Sequence, residues 1–153
     1  MRHRDLIRRV VALTALGMAS PAFACSVSAT GVAFGVYDPR GAAPTDGVGG
    51  ISLSCHPNTQ SPEVALGTGA SGSYAVRTMT NGTSSLHYSL YTSPARLFAW
   101  GDGSGSGTSI TLPGGVVSAG QRIFSATIYG RIPAGQNVTA GSYSDTLFVS
   151  VTF

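Results

Sequence analysis

The clearest pattern in the chain is its last stretch, residues 141–153, which reads GSYSDTLFVSVTF. Tyr143, Asp145, Leu147, Val149, Val151 and Phe153 fall on one face of an extended chain, and Ser144, Thr146, Phe148, Ser150 and Thr152 on the other. Apart from Asp145 at the entry and Phe148 on the outer face, this is the period-two pattern of a half-buried β-strand. Its Val, Thr and Phe content suits a pleated surface. No turn or further strand follows it in the sequence. The expectation is a sheet edge open to another chain.

The same alternation recurs upstream in shorter pieces. Residues 25–34 make a first strand in which Val27 and Ala29 alternate with serine and Gly31 marks a bulge. A Gly/Pro/Asp-rich loop is expected up to Gly49. Residues 50–56 alternate cleanly, with Ile51, Leu53 and Cys55 inward and Ser52, Ser54 and His56 outward. Val64, Ala65 and Leu66 form a short segment, and residues 69–72 a turn. Tyr74, Val76 and Thr78 predict a strand closed by the turn dipeptide Asn81-Gly82. Leu86, Tyr88 and Leu90 predict a central strand. Residues 97–100 predict another, followed by a glycine-rich loop. Ile110 and Leu112 precede the turn Pro113-Gly114-Gly115, and residues 122–132 form a long strand through Phe124, Ala126 and Ile128. No stretch carries sustained helical periodicity, and Gly and Pro recur every few residues. Roughly seven short strands at this spacing predict an all-β fold: an immunoglobulin-like antiparallel sandwich, incomplete because its last strand is missing.

Composition changes the picture at the N-terminus. Arg2, Arg4, Arg8 and Arg9 precede an apolar run over residues 10–17, and Ala22-Phe23-Ala24 follows. A basic head, a short apolar segment and an A-x-A site make residues 1–24 a secretory signal peptide, leaving one domain over residues 25–153. The formal charge of +3 then loses its meaning. Arg40, Arg77, Arg96, Arg122 and Arg131 are balanced by Asp38, Asp46, Glu63, Asp102 and Asp145, and there is no lysine. A near-neutral exported chain gives no reason to expect nucleic acid or anionic lipid as partner. Export also favours an oxidised Cys25–Cys55 pair tying the first two strands. The competing reading, a lipid-modified Cys25, lacks the leucine expected before such a site and leaves Cys55 without a partner.

Five stretches then carry a resemblance. They are Phe34-Gly35-Val36-Tyr37-Asp38-Pro39; Leu90-Tyr91-Thr92; Trp100-Gly101-Asp102-Gly103; the run YGRIPAGQ at residues 129–136; and the ending GxYxDTxxVxVxF at residues 141–153. In order and spacing they resemble the spore coat protein U domain, a family similar to the subunits of archaic chaperone–usher pili. The resemblance covers essentially all of residues 25–153. It implies an incomplete sandwich whose groove is held by a periplasmic chaperone, passed to an outer-membrane usher, and filled by the N-terminal extension of a neighbouring pilin subunit. The expected groove residues are Val27, Ala29, Val32 and Phe34 from the first strand and Leu147, Val149, Val151 and Phe153 from the last. Polymerising pilins carry a strand-length extension before the first cysteine. Here the cleavage site abuts Cys25, so the expectation is a terminal, tip-located subunit that receives a strand and donates none, in adhesion or biofilm.

Catalysis is not expected. His56 and His87 lie in alternating strands, and no Ser/His/Asp arrangement, H-E-x-x-H or Cys/His cluster is present. Asp38, Asp46 and Asp102 read as turn formers, without calcium-loop spacing. Arg131 is expected to pair a loop carboxylate such as Asp102 or Asp145. Trp100, Tyr91 and Phe98 are expected in the core rather than in an exposed patch. No cofactor, metal or small-molecule substrate is expected. The alternative reading is a self-contained secreted coat or surface-binding module that does not polymerise.

Overall fold

The computed structural model describes residues 25–153; the expected signal segment, residues 1–24, lies outside them. Nine strands are formed among the described residues: β1 (Ser26–Ala33), β2 (Thr45–Cys55), β3 (Glu63–Leu66), β4 (Arg77–Thr80), β5 (Ser85–Tyr91), β6 (Ile110–Thr111), β7 (Val116–Ser118), β8 (Gln121–Ile132) and β9 (Val149–Thr152). They make two antiparallel sheets. The larger runs β1-β2-β8-β5-β4, with β7 also on β8; the smaller runs β6-β3-β9.

Alternation places the core. In β2, Ile51, Leu53 and Cys55 are buried while Ser52 and Ser54 lean outward. In β8, Phe124, Ile128 and Ile132 face the same interior, and Leu86, Tyr88 and Leu90 do so from β5. Val64 and Leu66 close the core from the smaller sheet. Burial of each aliphatic side chain contributes roughly 1.5–3 kcal/mol before ordering costs. Trp100 joins the two layers: it is fully buried, and its Nε1 donates to the Val64 carbonyl at 3.1 Å. Cys25 and Cys55 form a disulfide with Cα atoms 4.2 Å apart. The Cys25 sulfur is thereby engaged, in keeping with the oxidised-pair reading. The register of β1 on β2 shifts between Thr30 and Ala33, at the expected bulge around Gly31.

Several expected boundaries move. β2 begins at Thr45, inside the expected loop, because its ladder with β8 runs unbroken from Thr45↔Ile132 to Cys55↔Arg122. β4 has the opposite phase from the one expected: Arg77 and Met79 are buried and Val76 is exposed. Residues 97–100 contribute only single bridges, Tyr91↔Ala99 and Trp100↔Thr108. Of the three aromatics expected inside, Trp100 is buried, Tyr91 half-buried, and Phe98 exposed. A short strand absent from the expectation, β7, pairs with β8 through the turn Ala119-Gly120, both at positive φ. That is the backbone a two-residue hairpin requires. The last strand is shorter than expected. Only Val149–Thr152 is ladder-bonded to β3, while residues 141–148 run extended with a single bridge, Ser144↔Thr80.

Candidate functional site

Strands β1 and β9 end their respective sheets. β1 is hydrogen-bonded to β2 on one side and β9 to β3 on one side. Among the described residues neither has a strand on its other side. Between these two edges lie two adjoining cavities. One, of about 330 Å³, has Ala29 and Val32 of β1 on one wall and Leu147 and Val149 on the other, over Leu90 and Ile128. The second, of about 700 Å³, lies between residues 34–40 and residues 138–143, over Leu86 and Ile132. Phe34 and Met79 border both. Together they form one groove with an apolar floor.

The walls run in opposite directions. Ala29 faces the Val149 end and residues 34–40 the residue 138–143 end, so β1 ascends where the C-terminal segment descends. Any strand laid between them is parallel to one wall and antiparallel to the other.

The inward face of β1 is uncovered. Val27 is paired with Leu53 and Ala29 with Ile51, so all four share a face. Yet Leu53 and Ile51 are 0% and 2% exposed, whereas Val27 is 49% exposed. Packing that buries β2 stops short of β1.

Of the residues expected at the groove, Ala29, Val32, Phe34, Leu147 and Val149 line it. Val151 packs against the core from β9 without lining either cavity. Phe153, 63% exposed, borders a separate depression with Asn58, Thr59 and Gln60. Val27 lies beyond the end of the groove lining, on the same uncovered face.

Polar residues hold the walls in place, and sequence reading missed most of them. Asp145 pins the C-terminal wall: its carboxylate accepts from the Tyr88 hydroxyl at 2.7 Å, the Ala70 amide at 3.2 Å and its neighbour's Thr146 amide at 2.9 Å. Burial and this carboxylate raise the Tyr88 phenol well above its ordinary pKa. Tyr37 pins the far wall: its hydroxyl donates to the Pro133 carbonyl at 3.1 Å and accepts from the Gln136 amide at 2.8 Å. The Gln136 side chain in turn bonds both the amide and the carbonyl of His87. Arg77 is fully buried: its guanidinium donates to the carbonyls of Gly67, Tyr74 and Trp100 at 2.6–3.2 Å. Burial lowers its pKa.

Arg131 does pair a carboxylate, but the partner is Asp46, not Asp102 or Asp145. The two are register partners on β2 and β8, joined by two bonds of 2.7 and 2.8 Å, and Arg96 adds a third contact at 3.1 Å. The Arg131 hydrogen bond holds the Asp46 carboxyl below its usual range. Asp102 caps the glycine-rich loop through Ser104. His56 and His87 are both exposed, and no group of three or more His, Cys, Asp and Glu capable of holding a metal is present among the described residues.

An all-β, immunoglobulin-like antiparallel sandwich with one strand missing, and a groove where that strand would lie, is the class this architecture defines. The chain belongs to the Spore Coat Protein U domain family, whose model matches residues 11–150. It is similar to Protein U of Myxococcus xanthus, at 37% identity over 133 residues, covering 78% of this chain and 70% of that protein. In fold it is similar to a chain in the crystal structure of the CsuC–CsuE chaperone–tip adhesion subunit pre-assembly complex, from archaic chaperone-usher Csu pili of Acinetobacter baumannii. That match has a TM-score of 0.53 at 23% identity and covers 85% of this chain but 39% of that one.

Proposed function

We propose that this protein is a secreted structural subunit of a surface fibre of the archaic chaperone–usher type, and that its groove accepts a β-strand from another chain. The observation that carries this is the pairing of two open strand edges with an uncovered apolar face between them. A donated strand supplies main-chain hydrogen bonds to both edges and alternate side chains to the cavities. Filling the groove removes two edges that otherwise invite aggregation. Four or five inward aliphatic side chains contribute roughly 1.5–3 kcal/mol each before ordering costs. Family membership and the fold of the Csu neighbour support the same role. The partners are a periplasmic chaperone in transit, an outer-membrane usher, and a neighbouring subunit in the fibre.

The signal peptide directs the chain to the periplasm, and cleavage beside Cys25 makes it a strand acceptor without a strand to donate, at a fibre end. The test is expression in a periplasm with and without a cognate chaperone. The account expects a soluble one-to-one chaperone complex whose chain begins at Cys25, released by an added pilin N-terminal peptide. A stable, cooperatively folding monomer without chaperone would overturn it in favour of a self-contained coat or binding module. A polymer of this protein alone would overturn the fibre-end assignment.

A further inference from the structure

The outer face of the smaller sheet carries a cleft of its own. Leu147 and Val149 line the groove, so Phe148 and Ser150 point to the opposite face. Phe148 is the aromatic that breaks the polar pattern of that face, and it is 83% exposed. It stands on one bank of a cleft of about 370 Å³, a size that holds a small molecule. β3 runs along the floor, where Ala65 and Gly67 leave room above the backbone. The Gly67 amide donates to the Phe148 carbonyl at 2.9 Å, and the Leu66 amide to the Gly101 carbonyl at 3.1 Å. The first bond places Phe148 on the β9 side of β3, and the second places residues 101–102 on the other side.

Tyr74 and Asp102 form that other bank. A Cβ on Gly101 would stand 2.8 Å from the Tyr74 ring, and one on Gly107 2.7 Å from it. The glycine-rich loop therefore closes directly on the ring and fixes it. Asp102 is fixed in turn by the Ser104 amide at 2.9 Å, the Ser104 hydroxyl at 2.6 Å and the Tyr74 hydroxyl. Glu63, at the end of the floor, is held by the Ser109 hydroxyl.

This lining dictates the chemistry of a ligand. It offers two carboxylates, the hydroxyls of Ser150 and Thr152 and an exposed ring, with no cationic or amide side chain. The two ion pairs among the described residues both end on Asp46, so Glu63 and Asp102 stand without a cationic partner. A ligand here has to donate hydrogen bonds, carry no negative charge and offer Phe148 an apolar face. From Glu63 to Gly67 the floor spans roughly 13 Å of strand, too long for one small cation. Sugar rings meet all of these demands, with hydroxyl donors on the rim and C–H groups on the faces.

We propose that this cleft binds an uncharged oligosaccharide, with one ring stacked on Phe148 and hydroxyls donating to Glu63 and Asp102. The site faces away from the groove, so it stays open when the groove is filled and does not rest on strand acceptance.

The test is saturation-transfer NMR on the exported full chain with its disulfide intact, alone or as its chaperone complex. The probes are cellotriose, mannotriose and N-acetylchitotriose, with trigalacturonate and choline as charged counter-probes. At least one neutral trisaccharide is expected to bind, with saturation strongest on the C–H groups of one ring. Phe148→Ala is expected to weaken that binding roughly tenfold, Glu63→Gln to weaken it severalfold, and Phe148→Tyr to retain it. Phe148 is exposed, so an unchanged denaturation midpoint is expected for both of its variants. Binding of none of the three trisaccharides, or binding unchanged in Phe148→Ala, overturns the proposal. Tighter binding of trigalacturonate or choline than of the neutral sugars also overturns it.

Discussion

Arg77 shows how a single side chain can organise the walls of a site it does not line. Its planar fork satisfies three carbonyls, from the segment after β3, the approach to β4 and the end of the Trp100 bridge. Truncation to alanine leaves buried carbonyls without donors, so Arg77→Ala is expected to cost about 3 kcal/mol or more of stability. Arg77→Lys is expected to recover little, because an ammonium cannot reproduce the fork; chemical denaturation of the peptide-bound form measures both. The sequence hid this residue because an arginine in a strand reads as outward, which shifted the expected phase of β4 by one position. Asp46 was hidden differently: it sits beside glycines and reads as a turn former, and only the ladder with β8 places it opposite Arg131. Asp145 was visible as an oddity on the inward face, and Tyr88 explains it. Asp46 and Asp102 set an acid limit. Asp46 is held below 3.8, and the Ser104 and Tyr74 hydrogen bonds bring Asp102 to about 2. A carboxylate with a depressed folded pKa contributes stability above its unfolded pKa and loses it as pH falls through the folded value. The denaturation midpoint is therefore expected to stay level down to about pH 4.5 and to fall from there towards about pH 2, with Asp46→Asn reducing the slope.

Among the elements, strands with a clean period of two were legible in outline. β2, β5 and β8 bury the side chains that their alternation marks, because each is covered by the opposite sheet. β7 was not, since three residues after Gly-Gly carry no periodicity of their own and owe their pairing to β8. The expectation is a continuous C-terminal strand, yet its first half lacks a ladder because it meets β4 only at the end of that strand, through the single bridge Ser144↔Thr80. Val149 sits where the ladder starts, paired with Leu66 and lining the groove. Val149→Asp is expected to leave synthesis intact and abolish stable export, measured by fractionation of cells carrying each form; normal surface display would contradict the role given to β9. The Cys25–Cys55 disulfide, spanning 30 residues, fixes the start of β1 to the end of β2. A closed loop of that length contributes roughly 3–4 kcal/mol in the chain-entropy model. The double variant Cys25→Ala/Cys55→Ala is accordingly expected to lose that much in peptide-bound stability, and to lose peptide affinity as well because β1 frays.

At the scale of the molecule, near-neutral charge from Cys25 onward and an uncovered apolar groove support the proposal of a fold finished by another chain. The sequence carried that reading as alternation at both ends and as family motifs. It did not show that the motif residues Tyr37, Asp145 and Gln136 are the fasteners of the groove walls, since hydrogen bonds between residues 49–99 positions apart leave no periodic trace. The most direct test is amide hydrogen exchange on the full chain freshly released from its chaperone, with and without a ten-residue peptide of alternating apolar residues, which spans roughly 33 Å. Insertion between the walls must protect amides of β1 and of residues 143–149 together, in one concentration-dependent step. Protection of one edge alone, or of neither, would contradict a groove completed by a donated strand.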